Sequence, residues 1–473
     1  MLLQFSVENY LSFRDKAVLS AVPAPGVEHA APMVLRDGHG HEALRALVVY
    51  GANASGKSNL IKALAFARDV VVSERGARDA IGVKPFALDA AHATAPSQFE
   101  FEFEFAFEGE SWSFGFVLTA RRVEAEWLHR RRSQDAADEL VYERELKEEG
   151  EGYEFTVGPG LAEGDHALAE LIGRGTRANQ LFLAEAEGRG IGVLDTVTRW
   201  FREGLGIFGA EIGTEEWLVE RLKGAKARAF AGELLERAGT GAGQIGFRFE
   251  VHNLNEIFDR KLIELEKSIM RMVSSRGFID DDDVIALAMT VLVPRLVLRH
   301  GSRPIEGTSP SAPHQGFSLS DESDGTVRLL YLASLLYGEG KGEGADHRTL
   351  CMDEIERSLH PNLSRFVLEA MLSAPEAGAA QFVFTTHDTG FLDLKLLPRD
   401  AVWFTEKDGG GGTHLYSLAE FNLEQITELS GDWEHGYLHG RFGAVPFLGD
   451  PKKLGWEREP SAEPEPEPAG EVG

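Results

Sequence analysis

The sequence predicts an α/β fold: a parallel-stranded core that carries a phosphate-binding loop, an antiparallel β subdomain, and a helical insertion. Three observations predict it. Residues 51–58, GANASGKS, fit G-x-x-x-x-G-K-[ST] at every fixed position and lie between an apolar run and a helix-forming run. Residues 99–108 alternate Phe with Glu, one Ala apart, which is the period of a half-buried strand. Two further apolar runs, ending in Asp353-Glu354 and in His387, have the look of buried parallel strands.

Composition narrows the function classes. Hydrophobic residues make up 43% of 473, enough for a sizeable core, and the length suggests about three domains. No run of 18 apolar residues occurs, so no membrane helix is expected. The N-terminal Met1–Glu8 lacks a charged region and an apolar signal core, and the single Cys351 excludes an internal disulfide framework; both predict a cytoplasmic protein. A net charge of −28 gives no general attraction for nucleic acid or an anionic membrane, so such contact would need a local basic patch.

Taken in order, residues 2–7 and 16–19 are predicted strands, and the Pro-, Gly- and His-rich stretch 20–43 a loop. Ala46-Leu47-Val48-Val49-Tyr50 is a buried strand and Asn59–Val71 a helix. Lys84-Pro85-Phe86 is extended, by the restriction before proline. Residues 99–108 and Ser111–Leu118 form a hairpin about Glu108-Gly109-Glu110, with Phe on one face and Glu on a wet face. Arg121, Arg122 and His129–Arg132 form the most basic cluster, read as a solvated strand end balanced by Glu124 and Glu126; a phosphate backbone is the other reading. Arg177–Glu187, Val193–Glu203, Glu215–Ala238 and Leu254–Met272 show helical apolar spacing, without a sustained heptad register. Pro294–His300 returns as a strand, 301–315 is a loop, and Ala401–Lys407 with Thr413–Leu418 make a strand pair. Residues 457–473 carry six Glu with Pro at 460, 464, 466 and 468, and are predicted disordered.

The chemistry is expected at four places. Gly51, Asn53, Ala54, Ser55, Gly56, Lys57, Ser58 and Asn59 form a glycine-permitted turn whose N–H groups, with the following helix N-terminus, cradle the phosphates of ATP. Lys57 reaches the β- and γ-phosphates, and Ser58 ligates Mg²⁺. Asp353 supports the Mg²⁺ shell through water, and Glu354 orients or deprotonates the attacking water. His387, at the end of Gln381–Thr386, is either a γ-phosphate contact or a structural strand-end histidine. Ser323 and Gly325 stand at a predicted helix start, where a Ser either caps its own helix or offers its hydroxyl to phosphate.

With these motifs in hand, the chain resembles the ABC-like branch of bacterial AAA family ATPases, related to the OLD and SMC heads. The resemblance spans nearly the whole chain. It rests on Phe5–Phe13, on Ser358-Leu359-His360-Pro361 after Asp353-Glu354, and on Thr385-Thr386-His387-Asp388. Trp403–Asp408 and Gly436–Pro446 extend it. Glu322-Ser323-Asp324-Gly325-Thr326 is similar in register to the Leu-Ser-Gly-Gly-Gln signature but keeps only the Ser and the second Gly. The resemblance implies a P-loop NTPase of ABC/SMC-head type and a homodimer that sandwiches two ATP–Mg²⁺, with room for a higher assembly. His387 would sense the γ-phosphate and Ser323 would act in trans. Members often serve in phage-defence operons, the PARIS system among them, so a separate effector protein, a nuclease or toxin, is implied as the partner.

The expected division is 1–164 for the N-terminal part of the head and its β subdomain and 165–293 for the helical insertion. Residues 294–450 make the C-terminal part of the head and 451–473 an acidic tail. No Asp-x-Asp follows His387, so the chain is not itself expected to be a nuclease. Two other classes fit less well. A DNA-binding genome-maintenance ATPase of the RecF or SMC kind is opposed by the charge. A transporter subunit is opposed by the degenerate signature and the missing membrane segment.

Overall fold

The computed structural model of the chain describes residues 1–30, 33–36, 41–105, 110–132, 136–147, 152–211, 213–253, 290–300, 316–337, 349–373, 380–421 and 433–445. It opens with β1 (Leu2–Glu8) and β2 (Ala17–Ser20), then a short pair, β3 (Val34–Arg36) and β4 (Glu42–Leu44), where the sequence predicts only loop. The phosphate-loop unit follows as β5 (Ala46–Gly51) and α1 (Lys57–Val72). An antiparallel meander comes next: β6 (Ser97–Phe105), β7 (Glu110–Leu118), β8 (Val123–Arg131), β9 (Glu139–Leu146) and β10 (Tyr153–Val157). With β1 and β2 it forms a seven-stranded sheet in the order β10-β9-β8-β7-β6-β1-β2.

The Phe alternation of β6 behaves as period two requires on one face. Phe99, Phe101 and Phe103 are fully buried. Trp200 stacks on Phe103 at 4.0 Å between centroids, and Phe66 of α1 meets Phe99 at 5.4 Å, so the helix that carries Lys57 packs on this sheet. The other face is less wet than expected. Glu104 is fully buried, with its carboxylate 3.1 Å from Nδ1 of His41. Glu126 does not balance the arginine cluster either. It is fully buried, and its oxygens accept the Phe182 and Leu183 amides at 2.6 and 2.9 Å and the Tyr142 hydroxyl at 2.7 Å. Arg122 pairs with Glu124 as expected, while Arg130 pairs with Glu110, Arg131 with Asp138 and Arg132 with Glu139.

The stretch read as helical holds α2 (His166–Gly175), α3 (Phe182–Ala186), α4 (Gly192–Arg199), a π turn at Trp200–Gly204, α5 (Glu215–Arg221) and α6 (Ala225–Arg237). It also holds two strands that helical spacing does not reveal. β11 (Leu205–Phe208) pairs in parallel with the later strand that leads to Asp353-Glu354, and β12 (Ala242–Asn253) pairs with β13 (Thr290–His300). A short β14 (Gly316–Ser318) completes that three-stranded sheet. The predicted helix 254–272, the loop 301–315, most of the 108–110 turn and the acidic tail lie outside the described residues.

The chain then runs through α7 (Asp324–Leu336), β15 (Thr349–Met352), α8 (Pro361–Ser373), β16 (Gln381–Thr385), β17 (Val402–Lys407), β18 (Thr413–Ser417) and α9 (Trp433–Leu438). The second large sheet has the order β11-β15-β16-β5-β17-β18, parallel except for β18. β5, β15 and β16 are buried at every residue, which explains why each reads as a continuous apolar run and not an alternating one.

Candidate functional site

The carboxyl ends of β5, β15 and β16 deliver the loop 51–58, the pair Asp353-Glu354, and Thr385–His387 to one edge of the parallel sheet. This is the edge at which open α/β sheets bind ligands. β16 lies between the strands carrying the other two motifs. Among the described residues, six that are not glycine have left-handed backbone: Asn9, Leu11, Ala54, Glu354, Ser358 and Ala444. Ala54 and Glu354 stand in the site itself, where such strain is commonly stored.

The loop is braced from behind by the β17–β18 pair. The Ser55 hydroxyl lies 2.6 Å from that of Thr405. Thr413 Oγ1 lies 2.8 Å from both the Ser55 carbonyl and the Ser12 hydroxyl, and Asn59 donates to Ser12 at 2.7 Å. The two fixed glycines follow from this closeness. A Cβ on Gly51 would stand 2.4 Å from Ser55 Oγ and from Thr405 Oγ1, and a Cβ on Gly56 2.4 Å from Thr413 Oγ1. Gly56 also has φ of 119° as the N-cap of α1. That helix start has no side-chain cap and no acidic residue in its first turn; the Asn59 amide turns back to the Gly56 carbonyl at 2.9 Å, which leaves the Lys57 and Ser58 amides to face an anion.

Lys57 is 5% exposed and curls over the loop, donating to the carbonyls of Gly51 at 2.7 Å and Ala52 at 3.1 Å. An ammonium has three N–H donors, so one remains for a phosphate oxygen. Burial pulls Lys57 down to about 8, against the opposing pull of Asp353, Glu356 and Glu354.

Ser58 donates to Asp353 Oδ1 at 3.1 Å, and Thr385 donates to the same oxygen at 2.5 Å. The Thr385 oxygen in turn accepts the Glu354 amide at 2.9 Å. The serine hydroxyl and the carboxylate are thus already together, a hard, all-oxygen donor set of the kind Mg²⁺ takes alongside phosphate and water. With the open helix start and the spare Lys57 donor, these residues fit a nucleotide triphosphate with its metal.

His387 is exposed, and its amide donates to Glu356 Oε1 at 2.6 Å. Partial burial, then the nearby Lys57 charge, hold its imidazole below the ordinary histidine value, against Glu356, Glu354 and Asp353. Ser323 and Gly325 are not brought to the loop by the same chain; no hydrogen bond joins them to it among the described residues. Ser323 caps α7, accepting the Thr326 amide at 3.2 Å. The helix start instead touches the turn after β15: a Cβ on Gly325 would stand 2.9 Å from the Ser358 carbonyl. Arg328, 2% exposed, donates to the carbonyls of Asp353 at 3.3 Å and Glu354 at 2.9 Å. A cavity of about 320 Å³ beside this contact is lined by Ala210, Glu211, Asp324, Arg328, Arg357 and Ser358.

Sequence reasoning missed Thr385, Glu356 and Arg328 as members of the site, and Ser12, Thr405 and Thr413 as its braces. Thr385 and Glu356 carry a signal, since each lies within three residues of a motif position; the braces carry none.

The parallel sheet and the motifs assembled at its edge define an α/β fold with a phosphate-binding loop of the P-loop kind. Residues 46–183 and 305–393 match the family described as "AAA domain, putative AbiEii toxin, Type IV TA system". Among solved structures, the SMC head domain from Thermotoga maritima is similar at 12% identity and a TM-score of 0.35, over 88% of this chain and 98% of that one. The recombination mediator protein RecF with ATP, of the RecFOR pathway, is similar at 13% identity and a TM-score of 0.30, over 88% and 97%. No curated protein matches the chain. No helix among the described residues is long and apolar enough to cross a membrane.

Proposed function

We propose that this chain binds and hydrolyses ATP, and that it works as a nucleotide-gated sensor controlling a separate effector, a nuclease or toxin, in anti-phage defence. The observation that carries the ATPase reading is the chain Ser58–Asp353–Thr385–Glu354, which joins the phosphate loop to the carboxylate pair through three hydrogen bonds. The defence context is supported by the family description that residues 46–183 and 305–393 match.

In this reading Gly51 to Asn59 hold the phosphates, and Lys57 presents its third N–H to the β- and γ-oxygens. Ser58 and Asp353 would hold Mg²⁺, which would supply positive charge to offset that developing on the phosphates. Glu354 takes the proton of the attacking water. His387 contacts the γ-phosphate. Ser323 and the amides of Asp324 and Gly325 meet the γ-phosphate of a second protomer; among the described residues no hydrogen bond joins them to their own loop. The product of the cycle is opening and closing of the dimer, read by the effector. In this reading the chain divides into a head (1–164 with 294–450), an insertion (165–293) and a tail (451–473).

Two variants test the reading. Lys57→Ala should lose nucleotide binding in a fluorescent-ATP titration; affinity within about threefold of the parent would sink the assignment, since a charge-assisted contact is worth more. Glu354→Gln should bind ATP, lose most turnover and run as an ATP-locked dimer in size exclusion. The DNA-binding alternative predicts ATP-dependent, steeply salt-sensitive binding to duplex DNA. The ion-paired arginines of β8 and the charge of −28 speak against it.

A further inference from the structure

Glu356 stands in the site, yet none of the four motifs includes it. One of its oxygens, Oε1, accepts the His387 amide at 2.6 Å. The other, Oε2, is buried and has no hydrogen-bond partner. Its main chain is fixed, with the carbonyl accepting the Leu359 amide at 2.8 Å. The carboxylate is close enough to pull Lys57 and His387 upward in their titration and to push Tyr50 in the same direction. A buried carboxylate oxygen without a donor is costly, so it is retained where a donor arrives in another state. The neighbouring His387 is exposed and its imidazole makes no hydrogen bond to a described residue, so a ring N–H can exchange water for this oxygen.

We propose that Glu356 is a positioning residue for His387: its free oxygen accepts one imidazole N–H and thereby aims the other ring nitrogen at the γ-phosphate. This rests on the reading of the site as an ATP site. A histidine with one nitrogen on a carboxylate has its tautomer and ring plane fixed, which a ligand contact through the second nitrogen requires. Lys57 faces the imidazole from the loop, and Asp353, Glu354 and Glu356 from the turn after β15. Glu354 remains free for water. Glu356 is therefore required for recognising the third phosphate and not for holding the first two.

The test is a double-mutant cycle on the full chain, reading affinity for ADP and for a non-hydrolysable ATP analogue with Mg²⁺. Glu356→Gln keeps an acceptor for the His387 amide but removes the charge. It should weaken the ATP analogue about tenfold, the scale of one charge-assisted hydrogen bond, and leave ADP within about twofold. His387→Ala should do the same, and the double variant should be no weaker than His387→Ala alone. Glu356→Asp, which keeps the charge, should recover part of the loss. Losses that multiply in the double variant overturn the proposal, as does an unchanged analogue affinity in Glu356→Gln. Equal losses for ADP and the analogue also overturn it, because a merely structural role moves both. A parent chain that binds neither nucleotide overturns instead the ATP-site reading beneath it.

Discussion

Thr385 donates its hydroxyl hydrogen to Asp353 at 2.5 Å while its oxygen receives the amide of Glu354 at 2.9 Å. One side chain thus orients the carboxylate proposed to support the metal and fixes the backbone of Glu354, the proposed general base. Thr385→Val keeps the shape and removes both contacts. Hydrogen bonds to charged groups are worth about 1.5–3 kcal/mol, so turnover should fall roughly 10- to 100-fold. The Mg²⁺ concentration for half-maximal rate should rise with it. A rate and Mg²⁺ response equal to the parent's would show that Asp353 needs no such support.

Lys57 gives the nucleotide affinity a pH dependence. In the free protein burial holds its ammonium near 8. A bound polyphosphate favours the charged form and raises that value, so binding takes up a proton once the pH exceeds about 8. Affinity should therefore be independent of this group below 8 and fall as pH rises through and beyond it, with a limiting slope of about tenfold per pH unit. Titrations between pH 7 and 9.5 check this. Lys57→Arg, which stays charged throughout, should remove the slope even if it weakens binding overall. A flat profile for the parent would mean the ammonium is not discharged in that range.

The close approach of Thr413 to Gly56 makes the loop intolerant of a methyl group. Gly56→Ala should lower nucleotide affinity at least tenfold, because the Cβ meets the threonine side chain and the backbone there has φ of 119°. Gly82→Ala is a control for left-handed strain alone: its φ is 75° and nothing lies near its Cβ. It should cost some melting temperature and no affinity. Equal affinity losses in the two variants would show that strain, and not the cradle, is being read.

Ser323 is tested across protomers. A Ser323→Arg chain mixed with a Lys57→Ala chain retains one intact composite site per heterodimer. Partial recovery of ATPase activity supports action in trans. Heterodimers that form but stay inactive would place Ser323 as nothing more than the cap of its own helix, the role its bond to the Thr326 amide already gives it.

The phosphate loop and Asp353-Glu354 were legible because each is a short string whose chemistry is local: strand, turn, functional residue. His387 was legible for the same reason. The buried carboxylates were not. Glu126 sits beside arginines in sequence, and nothing local says that the amides of Phe182 and Leu183 will arrive to cap it. Glu104 follows the period-two pattern of its strand, yet His41 covers that end of the sheet. β11 escaped because four residues containing a Gly have too little periodicity to outweigh the helical runs on either side. Among the site residues, Arg328 was visible only as a basic residue on a helix; its use as a brace for two carbonyls depends on how α7 meets the turn after β15.

The bracing of the loop by β17 and β18 sets an order of events during synthesis. Ser55 and Thr413 touch across 358 residues of chain, and Ser12 and Thr413 across 401. β5 acquires its neighbours β16 and β17 only after most of the polypeptide has left the ribosome. Closing loops this long is the slow part of assembling such a sheet. A growing chain therefore carries its phosphate-binding string from an early stage but has no walls to hold it in shape. The walls of the loop arrive last, so an unfinished molecule lacks the contacts that hold that string in its folded shape.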